Sequence, residues 1–281
     1  MEQFRRDGLV FDVIDDGPAD GAVVVLLHGF PQPNTSWAAV MARLTARGYR
    51  CLAPNQRGYS PGARPPRRRD YRMAELVDDA LALIDASGAD RIHLVGHDWG
   101  AAVGWGVATR EPARLASFSA LSVPHPVAFL RAIPTSRQGL ASWYMYVAQL
   151  PRLPERLLLG RDGSGIRITD ALLRSGQSVA HAERDTEAML EPGVLTAALN
   201  WYRAMLLSDS RQVKHRVRVP TMYIWSDGDT AITAKPAHDT AKYVKGPYRF
   251  ETIRGASHWL PDEKPDTMAD LLLEWFAAHP V

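Results

Sequence analysis

Strand-like and helix-like segments alternate in this chain up to Pro124, lose that rhythm, and regain it near Val217. Few folds accept such a pattern. Leu9 to Ile14 alternates apolar and polar residues, as a half-exposed strand does. Val23 to Leu27 is a continuous Val and Leu run, the mark of a strand covered on both faces. Ser36 is placed to cap a helix running to Arg47, and Gly48 to end it. Tyr49 to Ala53, Arg91 to Gly96 and Leu115 to Leu121 are further strands, with helices at Met73 to Ala86 and Trp99 to Thr109. This succession predicts a mostly parallel sheet with helices on both faces.

From 127 to 213 the sequence offers no convincing strand, and its patterns are helical. Leu195, Leu199, Tyr202 and Leu206 fall on one apolar stripe. A strand at Val217 to Trp225, a helix at Pro236 to Val244, a strand at Tyr248 to Ile253 and a helix at Asp266 to Ala278 then follow. The expected organisation is an α/β core made of 1–126 and 214–281, with an all-helical domain of 127–213 inserted into it.

Composition narrows the function. Apolar residues make up 46% of the 281 and charged residues 23%, enough buried surface to argue against disorder. The net charge is only +2, which gives no electrostatic case for a nucleic-acid partner. The basic stretch Pro61 to Asp70 is expected to be a solvated loop. Cys51 is the only cysteine, so no internal disulfide forms. His93 and His97 lie on a strand and its following turn, where their spacing does not bring them together, and no metal or other cofactor is expected. The apolar run Ala22 to Leu27 is far short of the roughly 20 residues that cross a bilayer. The two N-terminal arginines have no apolar segment behind them, so no signal peptide, no membrane partner and a cytoplasmic location are expected.

The chemistry starts at Gly96-His97-Asp98-Trp99-Gly100, a strand-to-helix junction with the layout of the G-x-S-x-G nucleophile elbow and Asp at its centre. The sharp turn needs its glycines and pushes the central side chain out at the carboxyl edge of the sheet. A carboxylate with a pKa of about 4 is ionised at neutral pH and attacks without a base. On an acyl carbon it would give an unstable anhydride, whereas on a saturated carbon it gives a stable alkyl ester that water must hydrolyse. A His with a carboxylate partner should activate that water. Asp229, after the strand ending at Trp225, and His258, after the last strand, follow Asp98 in the expected chain order, with Asp227 as the competing acid. The ester oxyanion would be met by the backbone N–H groups of Phe30 and Trp99, and Pro31 allows a cis bond before it.

These segments resemble the α/β-hydrolase superfamily and, within it, the epoxide hydrolases. The resemblance rests on HGFPQ at 28–32, RGYS at 57–60, GHDWG at 96–100, VPHP at 123–126, NWYR at 200–203, WSDGD at 225–229 and SHWLPDEKP at 257–265. It implies an α/β-hydrolase fold whose helical insertion is a cap over the sheet edge. It also implies two cap tyrosines, Tyr202 in NWYR and Tyr144 by its distance before Gln149 and Pro151, with Tyr146 the competitor for the second place. A proton donor is needed in any case, because an opening epoxide becomes an alkoxide, a poor leaving group that a phenol can protonate. A haloalkane dehalogenase uses the same nucleophile, but its relatives carry Asn where Phe30 stands and need no phenol pair. A decayed, non-catalytic receptor would be expected to lack one of these roles, and each has a candidate here. The cap residues Trp143, Tyr144 and Met145 suggest a small apolar or aromatic epoxide. The sequence leaves oligomeric state open.

Overall fold

The computed structural model describes residues 1–160, 162–208 and 216–281. Eight strands form one sheet: β1 (Gln3–Arg6), β2 (Leu9–Asp16), β3 (Val23–Leu27), β4 (Arg50–Pro54), β5 (Ile92–His97), β6 (Leu115–Leu121), β7 (Thr221–Ser226) and β8 (Tyr248–Ile253). Their order is β1-β2-β4-β3-β5-β6-β7-β8, with β2 antiparallel to both its neighbours, β1 and β4, and every other pair parallel. The sequence reading missed β1. Its signal is Asp7-Gly8, both at positive φ, the two-residue turn that suits a hairpin.

The continuous apolar run of β3 is explained by its two covered faces. Val24 and Leu26 point into a cluster with Trp37, Leu44, Leu272 and Phe276, packed by α1 (Ala38–Thr45) and a C-terminal helix. Val23, Val25 and Leu27 point into the larger cluster with Leu83, Ile84 and Trp105, from α2 (Met73–Ser87) and α3 (Trp99–Arg110). Each alternate side chain therefore leaves water, which suits a sheet of parallel strands.

Between β6 and β7 the described residues form helices, turns and one isolated bridge, but no strand. The helices are α4 (Pro126–Ala132), α5 (Gln138–Ala141), α6 (Trp143–Ala148), α7 (Leu153–Leu159), α8 (Ile166–Arg174), α9 (Val179–Leu190) and α10 (Val194–Ala204). The core then continues through α11 (Ala234–Asp239), α12 (Leu260–Glu263) and α13 (Pro265–Ala278). The expected domain boundary at 213 and 214 lies outside the described residues. No described helix is long and apolar enough to cross a membrane.

Several sequence expectations are corrected. Ser36 does not cap a helix; it sits buried in a 3-10 turn, Asn34–Trp37, and donates its hydroxyl to the Pro33 carbonyl at 2.8 Å. The strand expected from Val217 starts at Thr221, because Pro220 has no N–H for the ladder, and Val217 makes only an isolated bridge to Val244. The helix expected at 236–244 tightens into a 3-10 turn at Thr240–Tyr243. Leu206 leaves the stripe of Leu195, Leu199 and Tyr202, because α10 ends at Ala204 and a 3-10 turn rotates Leu206 into solvent.

Candidate active site

β5 runs into α3 through Asp98, whose φ of 51° and ψ of −118° are strained for a residue with a side chain. The flanking glycines have steric reasons. A Cβ on Gly96 would lie 2.3 Å from the Gly100 carbonyl oxygen, and one on Gly100 would lie 2.0 Å from that of Leu27. The turn therefore holds Asp98 out over the carboxyl edge of the sheet. Gly29, after β3, serves the same carboxylate. A Cβ there would come 2.4 Å from Asp98 Cβ and 2.5 Å from its Oδ1. The next residue, Phe30, donates its backbone N–H to Asp98 Oδ1 at 2.9 Å, and the Phe30–Pro31 bond is cis. Trp99 opens α3, so its N–H is among those with no intrahelical acceptor.

His258 reaches Asp98 from the loop after β8, its Nε2 3.6 Å from Asp98 Oδ2. Its Nδ1 donates to Asp229 Oδ2 at 2.8 Å. The other Asp229 oxygen accepts the N–H groups of Ala231 and Ile232 at 2.8 and 2.9 Å, which fixes the carboxylate. Asp227, the competing acid, is exposed and accepts the Gly255 N–H instead. Burial disfavours the His258 cation, but the charges and hydrogen bonds of Asp229 and Asp98 outweigh it and push the imidazole up to about 10. Burial likewise pushes the Asp98 carboxyl up, yet His258, His97 and the Phe30 N–H together hold it below the ordinary carboxylate value. The two groups therefore rest as an ion pair.

Two residues that support His258 were not anticipated from the sequence. His97 Nε2 and the Ser122 hydroxyl both donate to the His258 backbone carbonyl, at 2.9 and 3.0 Å. Burial lowers His97 to about 4, so it stays neutral in this role. Its place beside Asp98 in GHDWG was the available signal. His93 is apart from it, bonded to Ser117 and stacked on Phe276.

The cap closes over Asp98 and leaves a cavity of about 210 Å³. Asp98, Tyr144 and Tyr202 line it, and Phe129, Met145, Trp201 and Ile232 give it apolar walls. The Tyr144 and Tyr202 rings meet edge to face at 6.0 Å, and Tyr202 packs against Phe30 and Trp99 at 5.5 and 5.0 Å. Burial, reinforced by the Asp98 charge, raises both phenols, so they remain protonated. Tyr146 does not join them; it is 60% exposed on the opposite face of α6, and Trp143, expected beside the substrate with Tyr144 and Met145, is likewise exposed and does not line the cavity.

The cap also grips the loops that carry the core residues. Gly176 sits where a Cβ would be 2.5 Å from Ser257 Cβ, and Trp259 donates to the Ser175 hydroxyl at 3.0 Å. Arg184 of α9 clasps Asp262 with two hydrogen bonds of 2.9 and 2.7 Å, while Asp262 also accepts from Gln32 at 2.7 Å. Asp262 and Gln32 are in the family-like segments, but their link to Arg184 has no local sequence signature.

Residues 22–265 match the family described as alpha/beta hydrolase fold. The chain is 34% identical over 278 residues to AB hydrolase superfamily protein YfhM of Bacillus subtilis (strain 168), covering 96% of each chain. It is 32% identical over 290 residues to epoxide hydrolase 3 of Xenopus tropicalis, covering 99% of this chain and 78% of that one. The crystal structure of epoxide hydrolase VrEH1 from Vigna radiata superposes with a TM-score of 0.83 at 27% identity, covering 99% of both chains.

Proposed function

The chain belongs to the alpha/beta hydrolase fold family and, within it, to the epoxide hydrolases; on that premise we infer that it adds water to an epoxide through an alkyl ester on Asp98. One observation supports this reading most. A strained, ionised carboxylate shares a 210 Å³ cavity with two protonated phenols, and a paired histidine stands 3.6 Å behind it. We take 127–213 as the cap and 1–126 with 214–281 as the core.

An Asp98 oxygen attacks a ring carbon, and the carbon–oxygen bond of the epoxide breaks. Tyr144 or Tyr202 gives its proton to the emerging alkoxide and becomes a phenolate. Alkylation also removes the negative charge of Asp98, one of the causes that raise His258. The imidazolium then loses its proton, the phenolate regains one, and His258 becomes neutral with no net charge change. It can now take a proton from water, which attacks the carboxyl carbon of the ester. The N–H groups of Phe30 and Trp99 receive the oxyanion. Collapse expels the diol oxygen, protonated by His258, and the Asp98 carboxyl returns its own proton to the histidine. Asp229 holds the imidazole in orientation throughout.

The apolar walls favour an apolar or aromatic epoxide. Halide displacement is not favoured: a halide leaves without a proton, and the Phe30 side chain offers no donor to hold one.

The oxygen inventory tests the covalent route. With enzyme in excess over an aryl epoxide in 18O-water, the first-turnover diol should be unlabelled, and the label should appear in the peptide containing Asp98. A fully labelled first diol with an unlabelled peptide would mean that water attacks the epoxide directly.

A further inference from the structure

The outer face of the cap carries a feature that the reaction does not use. Leu140, Trp143, Tyr146 and Leu150 are 78%, 64%, 60% and 45% exposed. Trp143 and Tyr146, three apart, share one face of α6, and Leu140 on α5 and Leu150 just past α6 flank them as further exposed apolar side chains. Leu153 and Leu157, four apart on α7, extend the exposed apolar surface. Single exposed apolar side chains are ordinary, but a group of this kind marks a contact surface.

The charge around these side chains says what they would contact. Residues 126–160 hold four arginines, Arg131, Arg137, Arg152 and Arg156, all exposed. Their one acid, Glu155, is already held by Arg203 through bonds of 2.8 and 2.9 Å. Among the described residues the four arginines make no ion pair, and Arg131 donates only to the Tyr243 hydroxyl. The whole chain carries just +2, so this segment is a local cationic excess. A second copy docked face to face would set arginines against arginines. An anionic lipid surface would pair them with phosphates, take the Trp143 and Tyr146 rings at headgroup level, and bury the leucines at the acyl boundary. Leu130 of α4, which packs on α5, both lines the catalytic cavity and is 47% exposed, so the cavity wall reaches the outside next to these side chains.

We propose that the α5–α7 face of the cap docks on the surface of an anionic phospholipid bilayer. There an apolar epoxide dissolved in the lipid would reach the cavity past Leu130. The supply route rests on the reaction proposed above, whereas the docking does not.

Co-sedimentation of the full chain with vesicles tests it. Vesicles of phosphatidylcholine with phosphatidylglycerol should carry the protein down, and phosphatidylcholine alone should not. Binding should weaken as salt is raised. Arg137→Gln, Arg152→Gln and Arg156→Gln should each weaken it about fivefold, and the Leu140→Ser, Trp143→Ser pair more than tenfold. Hydrolysis of a water-soluble epoxide by these variants should match the parent, which shows that they are folded. Equal binding by parent and variants, or no binding to anionic vesicles, would overturn the proposal. A dimer that dissolves on Leu140→Ser, Trp143→Ser substitution would give the face to a second copy and overturn it as well. Vesicle binding without epoxide turnover would strike the reaction and leave the docking in place.

Discussion

The core and the cap hold the same carboxylate in different ways. On the core side, Asp98 is fixed by backbone: a strained turn, a glycine with no room for a Cβ, and the Phe30 N–H at 2.9 Å. His258 is fixed likewise, through Asp229 on its ring and two donors on its carbonyl. On the cap side, Tyr144 and Tyr202 are held by ring packing at 5.0 to 6.0 Å and by the helices that carry them. Backbone geometry admits one arrangement, whereas packed rings on helices tolerate adjustment. The core should therefore have no substitute for a lost part, and the cap should have a partial one.

The largest effect expected exposes that redundancy. Tyr144→Phe or Tyr202→Phe alone should slow ring opening roughly tenfold, since the other phenol can still protonate the alkoxide. The double variant should lose on the order of 10⁴-fold, the upper range for a positioned acid. Tyr146→Phe should change ring opening less than about twofold, because Tyr146 faces solvent. Stopped-flow measurement of the alkylation step separates these. A single substitution as severe as the double would mean that the two phenols act as one unit, as rigidly as the core.

Next is Gly29→Ala. Its methyl would need the space of Asp98 Cβ and Oδ1, so the carboxylate must shift. A displacement near 1 Å at reacting atoms costs on the order of 10²-fold. We expect kcat/KM to fall by that much with a near-native circular dichroism spectrum. Activity within a few-fold of the parent would show that the core adapts as the cap does.

The same difference explains what the sequence disclosed. Asp98, His258 and Asp229 were legible because each stands where a strand ends in a turn, and such turns need glycines at fixed offsets, as in GHDWG and WSDGD. Even there, only coordinates separate Asp229, whose oxygen faces the His258 ring, from Asp227, which turns to Gly255. The support by Ser122 was invisible, because it arises from a positive φ of 65° that no residue pattern announced. In the cap the helical period was readable, but not where each helix stops. Ser142 separates α5 from α6, so the spacing of four between Leu140 and Tyr144 does not put them on one face, and Leu140 is exposed with Trp143 and Tyr146. Short helices rotate relative to each other at every break, and periodicity cannot carry a face across one.

The smallest effect concerns the most buried charged contact between cap and core, Arg64–Glu191 being a more exposed one. Arg184 bonds Asp262 on the core side and Asp185 on its own helix, and both carboxylates are almost wholly buried. Arg184→Met would leave them facing each other without the guanidinium that both bond. Losing one partner of a fully buried pair costs roughly 3–5 kcal/mol, and we expect about 2 kcal/mol here, because the Arg184 side chain is 24% exposed and partly screened. The loss should depend on pH. Burial raises Asp185 to about 6 from 3.8, even though Arg184 and Gln177 oppose the rise. The folded chain thus binds this proton more tightly than the unfolded chain, so the contribution to stability falls as pH rises from about 4 to about 6. Without Arg184 the carboxyl rises further and the decline extends to higher pH. Urea midpoints should therefore show a larger deficit for the variant at pH 8 than at pH 5. Because Asp262 also holds Gln32, two residues beyond Phe30, kcat/KM should fall only a few-fold. An equal deficit at both pH values would mean that Arg184 contributes packing rather than charge, and this contact between cap and core would then rest on shape.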